Sequence, residues 1–177
     1  MKKETIFSFG LVLTNKCIHN CFNCEGESYI YRDMKEESFV FLENFAKEYP
    51  SEFIIAGKEI MLEPEKVERF LNIRSAKQTI ITTGITAIDK LDSYVKDYDN
   101  IQMILLSCHG SPDVERFVRN DVDKKYDYES RKWILKYKDT PLYDLFFLNH
   151  VIYRHNIEDG RLSQGDSGLS SWQNRQP

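Results

Sequence analysis

No stretch of this chain is long and apolar enough to lie across a membrane. The longest apolar runs, such as residues 101–106 with their single Gln102, have the length of a strand. An excess of positive charge is also missing: 24 Lys and Arg stand against 28 Asp and Glu, a net charge of −4. That balance excludes a chain whose main task is to grip a nucleic-acid backbone. The first residues, Met1-Lys2-Lys3-Glu4, do not open the apolar stretch of a secretory signal, so the expected location is the cytoplasm. Cysteine is scarce, with four in 177 residues, and a second metal cluster of ordinary four-cysteine ligation is thereby excluded. What remains is ample for a core: 41% hydrophobic and 13% aromatic residues rule out disorder over the whole chain. The length suits one domain.

Strand-like and helix-like segments alternate. Residues 6–13, 53–56, 78–83, 101–106 and 145–153 are runs of Ile, Leu, Val and Phe with little alternation, the pattern of strands covered on both faces. Between them, residues 36–49 place Phe39, Leu42, Phe45, Ala46 and Tyr49 on one helical stripe. Residues 64–73 open on Pro64, suited to a helix first turn, and residues 87–98 and 128–137 repeat the helical theme. This alternation predicts βαβ units, a parallel sheet and right-handed crossovers. Five strands are too few for a closed eight-stranded barrel. They fit an open sheet or a partial barrel, and both place ligands at the C-terminal ends of the strands. Residues 1–156 would form this domain, and the polar residues 157–177 a disordered tail.

The polar residues after each apolar run are therefore the candidates. After the first run come Cys17, Cys21 and Cys24. Three thiolates at this spacing can hold three irons of a [4Fe–4S] cluster and leave the fourth open to another ligand. Two other readings compete. His19 lies within the loop and would complete a Cys3His zinc site, though it stands only two residues from Cys17, close for a zinc pair. The cysteines could also be unligated structural residues. Of the other candidates, His109 is read equally as proton donor or backbone cap, Cys108 as a small buried residue, His150 and His155 as packing or surface histidines, and residues 121–127 as a solvated face.

The Cys-x3-Cys-x2-Cys loop after the first strand resembles the hallmark of the radical S-adenosylmethionine (radical SAM) enzymes. Four later segments resemble that family's landmarks in the same order. They are Gly57-Lys58-Glu59-Ile60-Met61-Leu62-Glu63-Pro64, Thr82-Thr83-Gly84, Ser107-Cys108-His109-Gly110 and the stretch ending at Asn156. The resemblance spans residues 6–156. It implies an α/β fold, a partial (β/α) barrel of parallel strands that ends after its fifth strand where the family commonly has six. It also implies two cofactors, a [4Fe–4S] cluster on Cys17, Cys21 and Cys24 and S-adenosylmethionine. By position, Gly57 and Glu59 would meet the methionine amino group, with Thr83, Ser107 and Asn156 also lining the cofactor. Phe22 or Asn23, at the place where the family usually has an aromatic, would lie beside the adenine. The implied reaction is reductive cleavage of S-adenosylmethionine to a 5′-deoxyadenosyl radical that abstracts hydrogen from a peptide, protein or small-molecule substrate. An electron donor such as flavodoxin or ferredoxin would be a partner, and neither nucleic acid nor membrane would be. A degenerate module that keeps cluster or cofactor without turnover, and a zinc-stabilised interaction domain, are the alternatives.

Overall fold

The computed structural model describes residues 5–21, 24 and 34–150. Five strands, β1 (Phe7–Val12), β2 (Ser51–Ala56), β3 (Ala76–Thr82), β4 (Ile101–Cys108) and β5 (Phe146–His150), form one parallel sheet in sequential order. Four α-helices connect them: α1 (Glu36–Glu48), α2 (Pro64–Leu71), α3 (Ile88–Asp97) and α4 (Pro112–Val118). Sequential order with right-handed crossovers sends α1, α2 and α3 to the same face of the sheet, as in a barrel wall, rather than to alternate faces. The expected open, partial β/α barrel is the fold observed.

One row of side chains runs across the whole sheet. Leu11 is in register with Ile55, Ile55 with Ile80, Ile80 with Ile104, and Ile104 with Phe146. All five are buried and face the helices. Phe70 of α2 meets this layer through Phe53, with ring centroids 5.5 Å apart, and stacks on Phe39 of α1 at 4.8 Å. Its carbonyl accepts a hydrogen bond from the Gln78 side chain of β3 at 3.0 Å. The other face of the sheet is more open. Ile54, Ala56, Ile81, Met103 and Leu105 are half-buried there. Near its lower end Gln102 donates to Glu52 and, at 3.3 Å, to Thr79, so three strands share a polar layer.

One connection and one strand boundary differ from the sequence expectation. Residues 128–137 form a run of 3₁₀ turns, not an α-helix. Its buried residues, Tyr128, Arg131, Ile134 and Tyr137, recur strictly every three positions, which aligns them on one face only at three residues per turn. The α-helix of this connection is instead α4, seven residues long, which opens on Pro112 in its first turn. The expected fifth strand over residues 145–153 starts at Phe146, and its last part, like the tail at 157–177, lies outside the described residues.

Because Phe70 is fully buried between two helices and the sheet, Phe70→Ala is expected to cost about 3–5 kcal/mol of folding stability. Urea denaturation followed by circular dichroism measures it.

Candidate functional site

The cysteine loop leaves β1 at Leu13 and is fastened at its base by backbone. The Leu13 N–H donates to the Ala56 carbonyl at 2.9 Å, Lys58 N–H to the Thr14 carbonyl at 3.1 Å, and Glu59 N–H to the Lys16 carbonyl at 3.0 Å. This backbone-to-backbone approach needs Gly57. Its φ is +154°, and a Cβ there would lie 2.9 Å from the Thr14 oxygen. A glycine at 57, expected to allow close approach of a ligand, here allows close approach of the cysteine loop itself. Ion pairs reinforce the base: Lys16 and Lys66 reach Glu63 at 2.8 and 3.1 Å. Burial raises the Glu63 pKa, but hydrogen bonds from Lys16, Thr14 and Lys66 outweigh it and bring it down to about 2.

Farther along, the loop rests on the segment after α4. The Tyr126 hydroxyl donates to the Ile18 carbonyl at 2.9 Å, and the His19 ring meets Tyr126 edge-on at 4.8 Å and stacks with Tyr128 at 6.0 Å. Burial, then the Arg119 charge, lowers the His19 pKa to about 4, so the imidazole is neutral at pH 7. The segment is itself built around Asp121, buried and accepting from the Lys125 and Tyr126 N–H groups at 2.9 and 3.3 Å. Residues 121–127 are therefore not simply a solvated face, because their first residue is a buried turn anchor.

The three thiols share this corner. None is in a disulfide. Cys17 and Cys21 are half-buried and Cys24 is exposed, while Cys24 N–H donates to the Cys21 carbonyl at 3.2 Å. Burial pushes the thiols of Cys17 and Cys21 above their ordinary range. They stand close enough to feel one another, yet among the described residues no three His, Cys, Asp or Glu side chains converge as a metal site. A donor set of three soft thiols, and no carboxylate among them, is the chemistry of an iron–sulfur or zinc site rather than of a hard cation. On that chemistry the residues fit the cluster the sequence implies.

The other expected residues lie along the same sheet end. Gly57 follows β2, Thr83 follows β3, and Ser107 is next to last in β4. Glu59 is fully buried, and its carboxylate takes four donors from the chain. They are Met61 N–H at 3.1 Å, the Thr82 hydroxyl at 2.7 Å, Thr83 N–H at 3.0 Å and the Thr83 hydroxyl. The sequence reading gives Glu59 a ligand amine; in the structure it ties the turn after β2 to the end of β3. Phe22, Asn23, Asn156 and His155 lie outside the described residues. The His150 backbone closes β5 opposite Cys108. His109 is buried, and its N–H donates to Glu115 at 2.7 Å. Cys108 is half-buried, with its thiol 3.8 Å from the Gly110 carbonyl.

Sequence reasoning missed three residues here, Glu115, Arg119 and Arg131. Glu115 and Arg119 form an i,i+4 pair on α4 at 2.6 Å, and Arg131 reaches the same carboxylate at 2.6 Å. The acid–base spacing of four after Ser111-Pro112, a helix-start signal, was the legible clue. Burial raises the Glu115 pKa, but the charges of Arg131 and Arg119 overcome it and hold it at about 2.

No known family profile matches this chain, and no curated protein matches it in sequence. Among solved structures, that of native anSMEcpe, an anaerobic sulfatase-maturating radical SAM enzyme with bound AdoMet and a Cp18Cys peptide, superposes with a TM-score of 0.65. Identity is 13% over 88% of this chain. The fold is that of a radical SAM enzyme. The chain spans 45% of the length of that neighbour, and the likeness is one of fold. No helix among the described residues is long and apolar enough to cross a membrane.

Two measurements check this geometry. Gly57→Ala forces a side chain against the Thr14 carbonyl at a positive φ and is expected to cost about 1–3 kcal/mol in chemical denaturation. The folded pKa of Glu115 lies below its unfolded value, so its contribution to stability is complete above about pH 4.5 and lost as pH falls toward about 2. Melting temperatures between pH 7 and pH 3 should fall over that window, and the fall should be shallower in Glu115→Gln.

Proposed function

We propose that the chain is a radical SAM enzyme or the catalytic part of one. Cys17, Cys21 and Cys24 would hold a [4Fe–4S] cluster, and S-adenosylmethionine would sit against the strand ends at Gly57, Thr83 and Ser107, with Phe22, Asn23 and Asn156 completing its surroundings. The observation that carries this reading is the three-thiol loop placed at the C-terminal end of the first strand of a sheet with the radical SAM fold. When bound, the cluster supplies the electron that splits the sulfonium into methionine and a 5′-deoxyadenosyl radical.

The chain's own part is to position and to exclude water. The backbone clamp at Gly57 fixes the loop base, and Tyr126 fixes its middle. Glu59 holds Thr83 and the end of β3 in place as the wall of the cofactor site, so its role is support of that wall. To hold the cluster, Cys17 and Cys21, whose thiols are protonated at neutral pH, would have to give up their protons. Hydrogen would be abstracted from a peptide, protein or small molecule. A peptide comes first, because the structural neighbour holds one on this fold. The reducing electron would come from a flavodoxin or ferredoxin.

Anaerobic purification and cluster reconstitution test the reading. The expected content is about four iron and four sulfide per chain, lost when Cys17, Cys21 or Cys24 is changed to Ala. Dithionite and S-adenosylmethionine should then give 5′-deoxyadenosine. About one zinc and no sulfide would overturn the proposal in favour of a structural site.

A further inference from the structure

One peptide unit of the cysteine loop is held from both sides. The Ile18 carbonyl accepts from the Tyr126 hydroxyl at 2.9 Å, across 108 positions of sequence. The adjoining amide, His19 N–H, donates to the Cys17 sulfur at 3.4 Å. That carbonyl and that N–H belong to one planar trans peptide, so they point in opposite directions and turn together. Fixing the carbonyl therefore fixes the direction of the N–H toward the sulfur.

The hydroxyl is held in place in turn. Tyr126 N–H donates to the buried carboxylate of Asp121 at 3.3 Å, and Asp121 N–H donates to the Arg116 carbonyl of α4 at 2.8 Å. Between them Lys124, at φ +53°, turns the chain so that its N–H donates to the Asp121 carbonyl at 3.2 Å. Tyr126 is thus tied to α4 by its backbone and to the loop by its side chain. The His19 ring adds aromatic contacts, edge-on to Tyr126 and stacked with Tyr128, and its nitrogens make no hydrogen bond among the described residues. Any backbone group would serve to anchor a loop. The one anchored here is the carbonyl whose own peptide reaches a cysteine sulfur.

We propose that Tyr126 is a positioning residue whose hydroxyl orients the Ile18–His19 peptide, so that its N–H is given to the Cys17 sulfur and a cluster on this loop becomes easier to reduce. This rests on the radical SAM reading above. A donor to the carbonyl of a peptide polarises it and strengthens its N–H as a donor. Hydrogen bonds to ligand sulfurs help to set the potential of an iron–sulfur cluster, because they stabilise the added negative charge of its reduced state.

The full chain and its Tyr126→Phe, Tyr128→Phe, His19→Pro and doubly substituted Tyr126→Phe/His19→Pro variants would be reconstituted and assayed for iron. Titration with redox mediators at pH 7, followed by electron paramagnetic resonance of the reduced cluster, reads the midpoint potential. None of these substitutions alters a charge at that pH, since His19 is neutral there, so the buried Glu59, Glu115 and Arg119 act alike in all of them. Tyr126→Phe keeps a ring against His19 and loses only the hydroxyl, and the potential should shift negative. Tyr128→Phe, which loses a hydroxyl that makes no hydrogen bond to the loop, should leave it unmoved. His19→Pro lacks the N–H and should shift it negative, and adding Tyr126→Phe should then shift it little further. An unmoved potential in Tyr126→Phe, an equal shift in Tyr128→Phe, or fully additive shifts in the double variant overturn the inference. If the variants bind no iron, exchange of the His19 amide in the iron-free chain, followed by nuclear magnetic resonance, decides. It should be faster in Tyr126→Phe than in the wild type, and equal rates overturn the inference. A wild-type chain that takes up no iron fails the cofactor reading and this inference together. Normal wild-type iron with an unmoved potential in Tyr126→Phe fails this inference alone.

Discussion

A carboxylate without access to water must find its donors in the chain, and two such groups determine how the strand ends of this protein are assembled. Glu59 gathers Met61, Thr82 and Thr83, so the turn after β2 cannot move independently of the end of β3. Glu115 gathers His109, Arg119 and Arg131, which joins the end of β4 to α4 and to the 3₁₀ run. Hydrogen bonds to charged groups contribute more than neutral ones, and an ionised carboxylate left unpaired would be expelled or neutralised. The C-terminal edge of the sheet is therefore fastened laterally by these two charges, in addition to its ladder hydrogen bonds.

That fastening explains how a loop with little secondary structure keeps its place. The base of the cysteine loop hangs on Ala56, Lys58 and Glu59, and the Glu59 side chain is in turn anchored to β3. Its middle rests on Tyr126, whose segment descends from α4 and the Glu115 cluster. Gly84 joins the two halves: it has φ +71°, and a Cβ there would lie 2.7 Å from Leu106. Its carbonyl accepts from the Trp133 indole at 3.4 Å. The cysteines are thus supported from both buried carboxylates.

The sheet was legible in the sequence because each strand carries its helix-facing residue in an unbroken apolar run. Leu11, Ile55, Ile80, Ile104 and Phe146 all fall in or beside the segments read as strands. The open face was not legible, since Ile54, Ile81 and Leu105 are as apolar as their buried neighbours although only half-buried. The 3₁₀ run was misread because a row at spacing three also satisfies most of a helical stripe, and the presence of Arg131 in that row hid its buried side. Of the site, the thiol loop and the residues after each strand could be read from spacing. The support for them could not: Asp121 and Glu115 look like surface charges until the backbone amides and guanidinium groups that bind them are brought together by the fold.

Burial also sets the protonation state of the thiols. Burial keeps Cys17 and Cys21 protonated, and each negative charge added in this corner makes the next harder to place. A loop evolved only to pack would resolve this by staying neutral, with apolar neighbours. The cysteine loop instead rests on Tyr126, whose segment is anchored on the buried carboxylate of Asp121. Those surroundings still favour the thiol form at Cys17 and Cys21. A metal at the proposed site would have to displace those protons, so its hold on the loop would weaken as pH falls.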